Sequence, residues 1–159
     1  MSLHTPKYRW IRIMEWLRWS FVTVGFYIAY QNLGTNSIFW LCCMVMLPLT
    51  GFTALESLFL AQASAVYKNR ETGSAYQIQS AFNNLATALT AVIVMVFSLG
   101  STAQLTVCLV AMLFFSLSSI NHLIEFIKEN KAKHHLARFL STLILVGFSI
   151  PIIATAWPQ

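Results

Sequence analysis

Apolar residues in this chain fall in long blocks, without the strict alternation of a half-buried strand. Residues 19–55, 73–124 and 139–159 contain no Asp, Glu, Lys or Arg. A transmembrane helix needs about 20 mostly apolar residues, so the pattern predicts helices at 10–31, 38–67, 75–99, 103–127 and 136–157. The expected fold class is all-α: one integral membrane helical bundle over residues 1–159. It has five transmembrane helices, or four if the first segment is cleaved or lies at the interface.

The first segment is the marginal one. Its uncharged part covers only about 18 Å at the helical rise, so a span must start near Trp10 and snorkel Arg12, Glu15 and Arg18. Trp10, Trp16 and Trp19 suit an interfacial anchor. A basic stretch before an apolar run also resembles a signal peptide, but QNLGTNSIFW offers no A-x-A-like cleavage site. The second segment is longer than a span requires, and its Pro48 and Gly51 predict a kink.

Charge orients the bundle. Lys7, Arg9, Arg12 and Arg18 precede the first span, Lys68 and Arg70 follow the second, and Lys128, Lys131, Lys133 and Arg138 follow the fourth. The other turns are uncharged, so five spans with a cytoplasmic N-terminus and an outer C-terminus satisfy the positive-inside rule at every loop. Only 9% of residues are charged, against about 25% in a soluble domain. The net charge of +5 is confined to these short segments, which argues for a lipid-bilayer setting and against nucleic acid.

Polar residues inside spans are costly and invite functional readings. Glu56 lies about 16 Å from the inner boundary if the second helix runs unbroken to Tyr67, and Asn83 and Asn84 come out at a similar depth. Gln77, Ser80, Asn84 and Thr87 share one face of the third helix; Gln79, Asn83 and Thr90 share a neighbouring one. Ser118, His122, Glu125 and Glu129 form a stripe on the fourth helix; on the fifth, Arg138 sits level with Glu125, and Ser141 and Thr142 sit level with His122. The expected ligand-binding site is therefore a cytoplasm-facing polar pocket of Glu56, Gln77, Asn84, His122, Glu125 and Arg138. The competing reading makes the amides and hydroxyls helix-to-helix glue, with Glu125 and Arg138 an ion pair at the boundary.

Metal and cofactor chemistry is not expected. His122 and Glu125 supply two ligands where a zinc site wants three or four, and the HH at 134–135 reads as solvated loop. The chain lacks G-x-S-x-G, a P-loop, H-E-x-x-H and any Asp. Cys42, Cys43 and Cys108 show no C-x-x-C spacing, although Cys42 or Cys43 lies at a depth from which it can bridge Cys108.

The run SAYQIQSAFNNL at 74–85, followed by NHLIEFI, resembles an uncharacterised bacterial family of small multi-pass membrane proteins. That family's pattern is roughly S-P-F-Q-x-E-x-G-x-A-N-L on one helix, G-H at the end of the next, and an Asp and a Pro on the last. Ser74, Gln77, Asn84, Leu85, His122 and Pro151 match it, and Tyr76 is a close substitute. Ala75, Gln79, Asn83 and Asn121 depart from it, and Ser141 or Thr142 stands in place of the Asp. The resemblance implies a bacterial inner-membrane protein and no particular activity. AFNNLATAL beside a basic loop is also similar to the small bundle enzymes of eicosanoid and glutathione metabolism, without their R-x-x-x-x-N-x-x-E run.

The functional expectation is an inner-membrane protein that binds or passes a small polar or amphipathic ligand, with Glu56 a proton-linked or ligand-pairing carboxylate. The alternatives are a non-catalytic membrane partner or immunity-type protein acting through helix faces, and a small membrane enzyme on a lipid or thiol substrate.

Overall fold

The computed structural model describes residues 6–34, 36–67, 75–128 and 133–157. Among these residues the chain is helical and has no strand. The helices are α1 (Pro6–Gln31), α2 (Ser37–Phe59), α3 (Ala61–Tyr67), α4 (Ala75–Val96), α5 (Ser101–Lys128) and α6 (Lys133–Ala156). Four of them, α2, α4, α5 and α6, are long and apolar enough to cross a membrane. The 26-residue α1 is not in that set, because Arg9, Arg12, Glu15 and Arg18 occupy its first half.

On α1, Tyr8, Ile11, Val22, Gly25 and Ala29 are buried at heptad-like spacing, and Glu15 and Arg18 complete the same stripe. Trp10, Trp16, Trp19 and Tyr27 lie on the exposed side. The stripe packs along α2 and α3.

Within α2, Leu41–Met46 forms a π turn in which the Leu47 N–H donates to the Cys42 carbonyl. Pro48 accounts for it. Proline has no N–H to give the Met44 carbonyl and its ring presses on that group; a wider turn relieves both. The kink expected near Pro48 and Gly51 thus takes the form of a π turn. It lies where α1 passes closest: a Cβ on Gly25 would stand 2.7 Å from Val45 Cγ2 and 2.9 Å from the Met44 carbonyl carbon.

A second irregularity separates α2 from α3. Leu60 adopts φ −122° and ψ 21°, which ends α2 where one helix over 38–67 was expected. The break lets the Ser64 hydroxyl reach the carboxylate of Glu56, which accepts its hydrogen bond. Eight residues of unbroken helix would hold these two about 12 Å apart.

α2 and α4 meet through small side chains. Ala81, Asn84, Ala88 and Ala91 are buried at spacings of three and four, and a Cβ on Gly51 would meet the Ala88 Cβ at 3.9 Å. Small residues allow such close packing where no hydrophobic driving force exists between helices in lipid.

The apolar core lies at one end of the bundle. Ala29, Leu41, Val45, Met46, Val94, Leu105, Cys108, Met112 and Ile152 belong to it, gathering every long helix. At this closed end the Tyr30 hydroxyl donates to the Phe148 carbonyl at 2.8 Å, and the Phe26 and Phe148 rings lie 5.7 Å apart. The other end, where the sequence places the basic loops, is built differently. Along the bundle α2 packs on α1 and α4, the short α3 packs on α1 and α2, and α5 packs on α6 and on α4. Of residues 113–128 only Ser119 is buried, and of 135–144 none is.

Candidate functional site

Polar side chains of the basic half gather in two places. The first is built on Glu56, buried near the end of α2. Arg18 Nη2 donates to its Oε2 at 2.8 Å, and Ser64 donates to its Oε1. The side chains are 11% and 5% exposed for Arg18 and Glu56, so this is a buried charge-assisted pair and not the surface kind that contributes little. The sequence expectation that Arg18 snorkels to water is therefore corrected. It points inward because its stripe on α1 is the one that meets α2.

The depth of Glu56 changes as well. With α2 ending at Phe59, Glu56 is one turn from the end of the span, about 4.5 Å along the axis, instead of near mid-span. Asn84 is not its partner. The Asn84 amide nitrogen donates to the Ser80 carbonyl at 2.8 Å, and its Oδ1 is buried with no hydrogen-bond partner among the described residues. The Arg18 Nε likewise has none.

The second gathering joins α5 to α6. His122 Nδ1 and His135 Nδ1 are 3.0 Å apart, with ring centroids at 5.2 Å, and Arg138 Nη1 approaches His122 Nε2 to 3.4 Å. A guanidinium only donates, so His122 Nε2 accepts. His135 was expected in a solvated loop. It lies in the first turns of α6, three residues before Arg138 and on the same face, because α6 begins at Lys133. His134 side-chain contacts lie outside the described residues.

Of the six residues expected to form one site, the structure brings His122 and Arg138 together. Glu56 belongs to the Arg18 and Ser64 cluster, and Asn84 to the α2–α4 seam. Gln77 and Glu125 are half-buried. Glu125 makes no ion pair with Arg138, which turns to His122 instead.

The exposed surface of α4 is divided. Ile78, Phe82, Leu89, Ile93 and Val96 form an apolar side, while Gln79, Asn83, Ala86 and Thr90 form an exposed small and polar stripe. Thr87 and Val94, next to that stripe, are buried, so the polar stripe borders the covered side of α4 and the apolar one faces away.

The three cysteines are free thiols, with Cys42 and Cys108 buried together in the closed-end core. Among the described residues no group of three or more His, Cys, Asp or Glu is arranged to hold a metal ion. No protein-family model, curated protein or solved structure matches the chain.

Proposed function

We propose that this protein binds or passes a small polar or amphipathic ligand in a cleft of its basic half, between the α1–α4 unit and the α5–α6 hairpin. One observation carries the reading. The faces of α5 and α6 that are buried in the closed-end core become half-exposed toward the basic end, and there they bear Ser118, His122, Arg138, Ser141 and Thr142. Lipid contact with such a set is costly; a water-reachable cleft removes that cost. The polar stripe of α4 supplies the opposite wall. Under the positive-inside rule the basic end faces the cytoplasm, which fits an inner-membrane location.

In this reading Glu56 does not receive the ligand. With Arg18 and Ser64 it fixes α1 and α3 against α2, forming the rigid side of the cleft. His122 and Arg138 are the ligand contacts. The test is mass spectrometry of small molecules retained by protein gently extracted from its native membrane. His122→Ala and Arg138→Ala should lose the retained species, whereas Leu89→Ala on the apolar side of α4 should keep it. Equal retention in all three removes the reading.

A second reading has one observation in its favour. Exposed Gln79, Asn83, Ala86 and Thr90 are also what a helix of a membrane partner would pack against. Disulfide trapping from Asn83→Cys to another polypeptide, with no ligand retained, would favour it.

A further inference from the structure

We propose that the exposed stripe of Arg9, Arg12, Trp16 and Trp19 on α1 binds the headgroup of one anionic phospholipid. The inference is independent of the ligand cleft and uses none of its residues. These four positions follow one another at spacings of three, four and three, so they share about 80° of arc on the helix. All four side chains are exposed. The neighbouring stripe, with Ile11, Arg18 and Val22, is the one that packs on α2, so α1 is held from behind and the guanidiniums stand on its free side.

Charge on this stripe is one-sided. Among the described residues neither Arg9 nor Arg12 forms an ion pair, whereas Arg18 on the covered side has its carboxylate in Glu56. Glu15, the acid nearest them on the helix, belongs to the buried stripe and is half-buried. A guanidinium fork presents paired N–H donors that match two phosphate oxygens, and an indole adds an apolar body with one N–H donor.

Packing sets the depth. Gly25 lies against Met44 and Val45, and the Arg18–Glu56 pair shows that α1 and α2 run from there toward the same end of the bundle. From that contact Arg12 is about 20 Å along α1, and Phe59, the last residue of α2, is about 22 Å along α2. Arg12 thus stands level with the end of the α2 span and Arg9 about 4.5 Å beyond it, while Trp16 lies about 6 Å inside. Cations at the headgroup layer, with an indole just beneath them, attract anionic lipid. A choline headgroup brings its own cation to the phosphate; a glycerol headgroup leaves the phosphate charge to the two arginines.

The experiment uses the full chain with Trp10→Phe, Trp40→Phe and Trp157→Phe, so that Trp16 and Trp19 report alone. It is reconstituted in phosphatidylcholine bilayers containing rising fractions of brominated-tail phosphatidylglycerol or brominated-tail phosphatidylcholine, and the readout is fluorescence quenching. The glycerol lipid should reach half-maximal quenching at a fraction at least about fivefold lower, the size of one juxtamembrane cation's contribution. Arg9→Gln combined with Arg12→Gln should bring the two lipids together, whereas Lys128→Gln, an exposed cation of the same end on another helix, should keep the preference. Equal quenching by both lipids, or a preference that survives the double arginine change, overturns the proposal. Equal loss in Lys128→Gln also overturns it, because attraction would then be diffuse. Native mass spectrometry reads the same comparison without tryptophan replacements: from an equal mixture the natural chain should retain one phosphatidylglycerol, and the double arginine variant should show no preference.

Discussion

Breaking the Arg18–Glu56 pair by one side should be far more damaging than removing both sides. At the observed 2.8 Å, an effective dielectric near 20 gives a gross attraction of about 6 kcal/mol. Much of this offsets the loss of water from both ions, so the pair adds little net stability over apolar residues of similar size. Arg18→Met leaves a buried carboxylate without its guanidinium partner, and Glu56→Met leaves a guanidinium whose Nε already has no hydrogen-bond partner among the described residues. Each single change should cost about 3–5 kcal/mol. The double change should stay within about 1 kcal/mol of the natural chain, a coupling of several kcal/mol. The assay is reversible unfolding in mixed micelles by titrated sodium dodecyl sulfate, followed by tryptophan fluorescence. If the two single losses add within about 0.5 kcal/mol, the residues do not act as a pair and the architecture of the basic half needs another explanation.

Three further outcomes follow from the same geometry. Gly25→Ala should cost about 1–3 kcal/mol or more, because its Cβ meets the Met44 backbone, whereas Gly147→Ala, with nothing within 4 Å, should be neutral or gain up to about 1 kcal/mol; the same unfolding titration compares them. Ser64→Ala should remove the tie between α3 and Glu56, costing about 1–2 kcal/mol and speeding amide exchange across Ala61–Tyr67 without speeding it in α4. Cys42→Ser should lower stability by placing a hydroxyl in the closed-end core, by about 1–3 kcal/mol if its hydrogen bonds are unmet, while Cys43→Ser, at a half-buried position, should change the unfolding midpoint less.

The helices were legible because hydrophobic blocks and charge-free runs are long-range, redundant signals. What local pattern did not convey was how the helices meet. Arg18 looked like a snorkelling residue because its depth was judged on α1 alone; its place on the stripe with Ile11, Val22, Gly25 and Ala29 was the available signal that it points inward. Ser64 had no such signal. It reaches Glu56 only because α2 breaks at Leu60, where no Pro or Gly announces the break. His122 and Arg138 were legible as members of one polar region on consecutive helices, but the depth reckoning set Arg138 level with Glu125 and His122 level with Ser141 and Thr142, about one turn away from the pairing observed. His135 was read as loop because helix boundaries blur where charged residues cluster. Asn84 shared the expected face of α4, yet that face meets a seam of small residues and not Glu56.

Solvent access at α4 tests the cleft most directly. In a chain with Cys42, Cys43 and Cys108 replaced by alanine, single cysteines at Asn83, Leu89 and Ala91 are exposed to a membrane-impermeant maleimide applied to the basic side of sealed vesicles. The polar stripe predicts rapid labelling at Asn83→Cys, with Leu89→Cys shielded by lipid and Ala91→Cys by the core. Labelling of Asn83→Cys as slow as that of Leu89→Cys would mean that the stripe faces lipid or a partner helix, and that no water-reachable cleft divides the basic half.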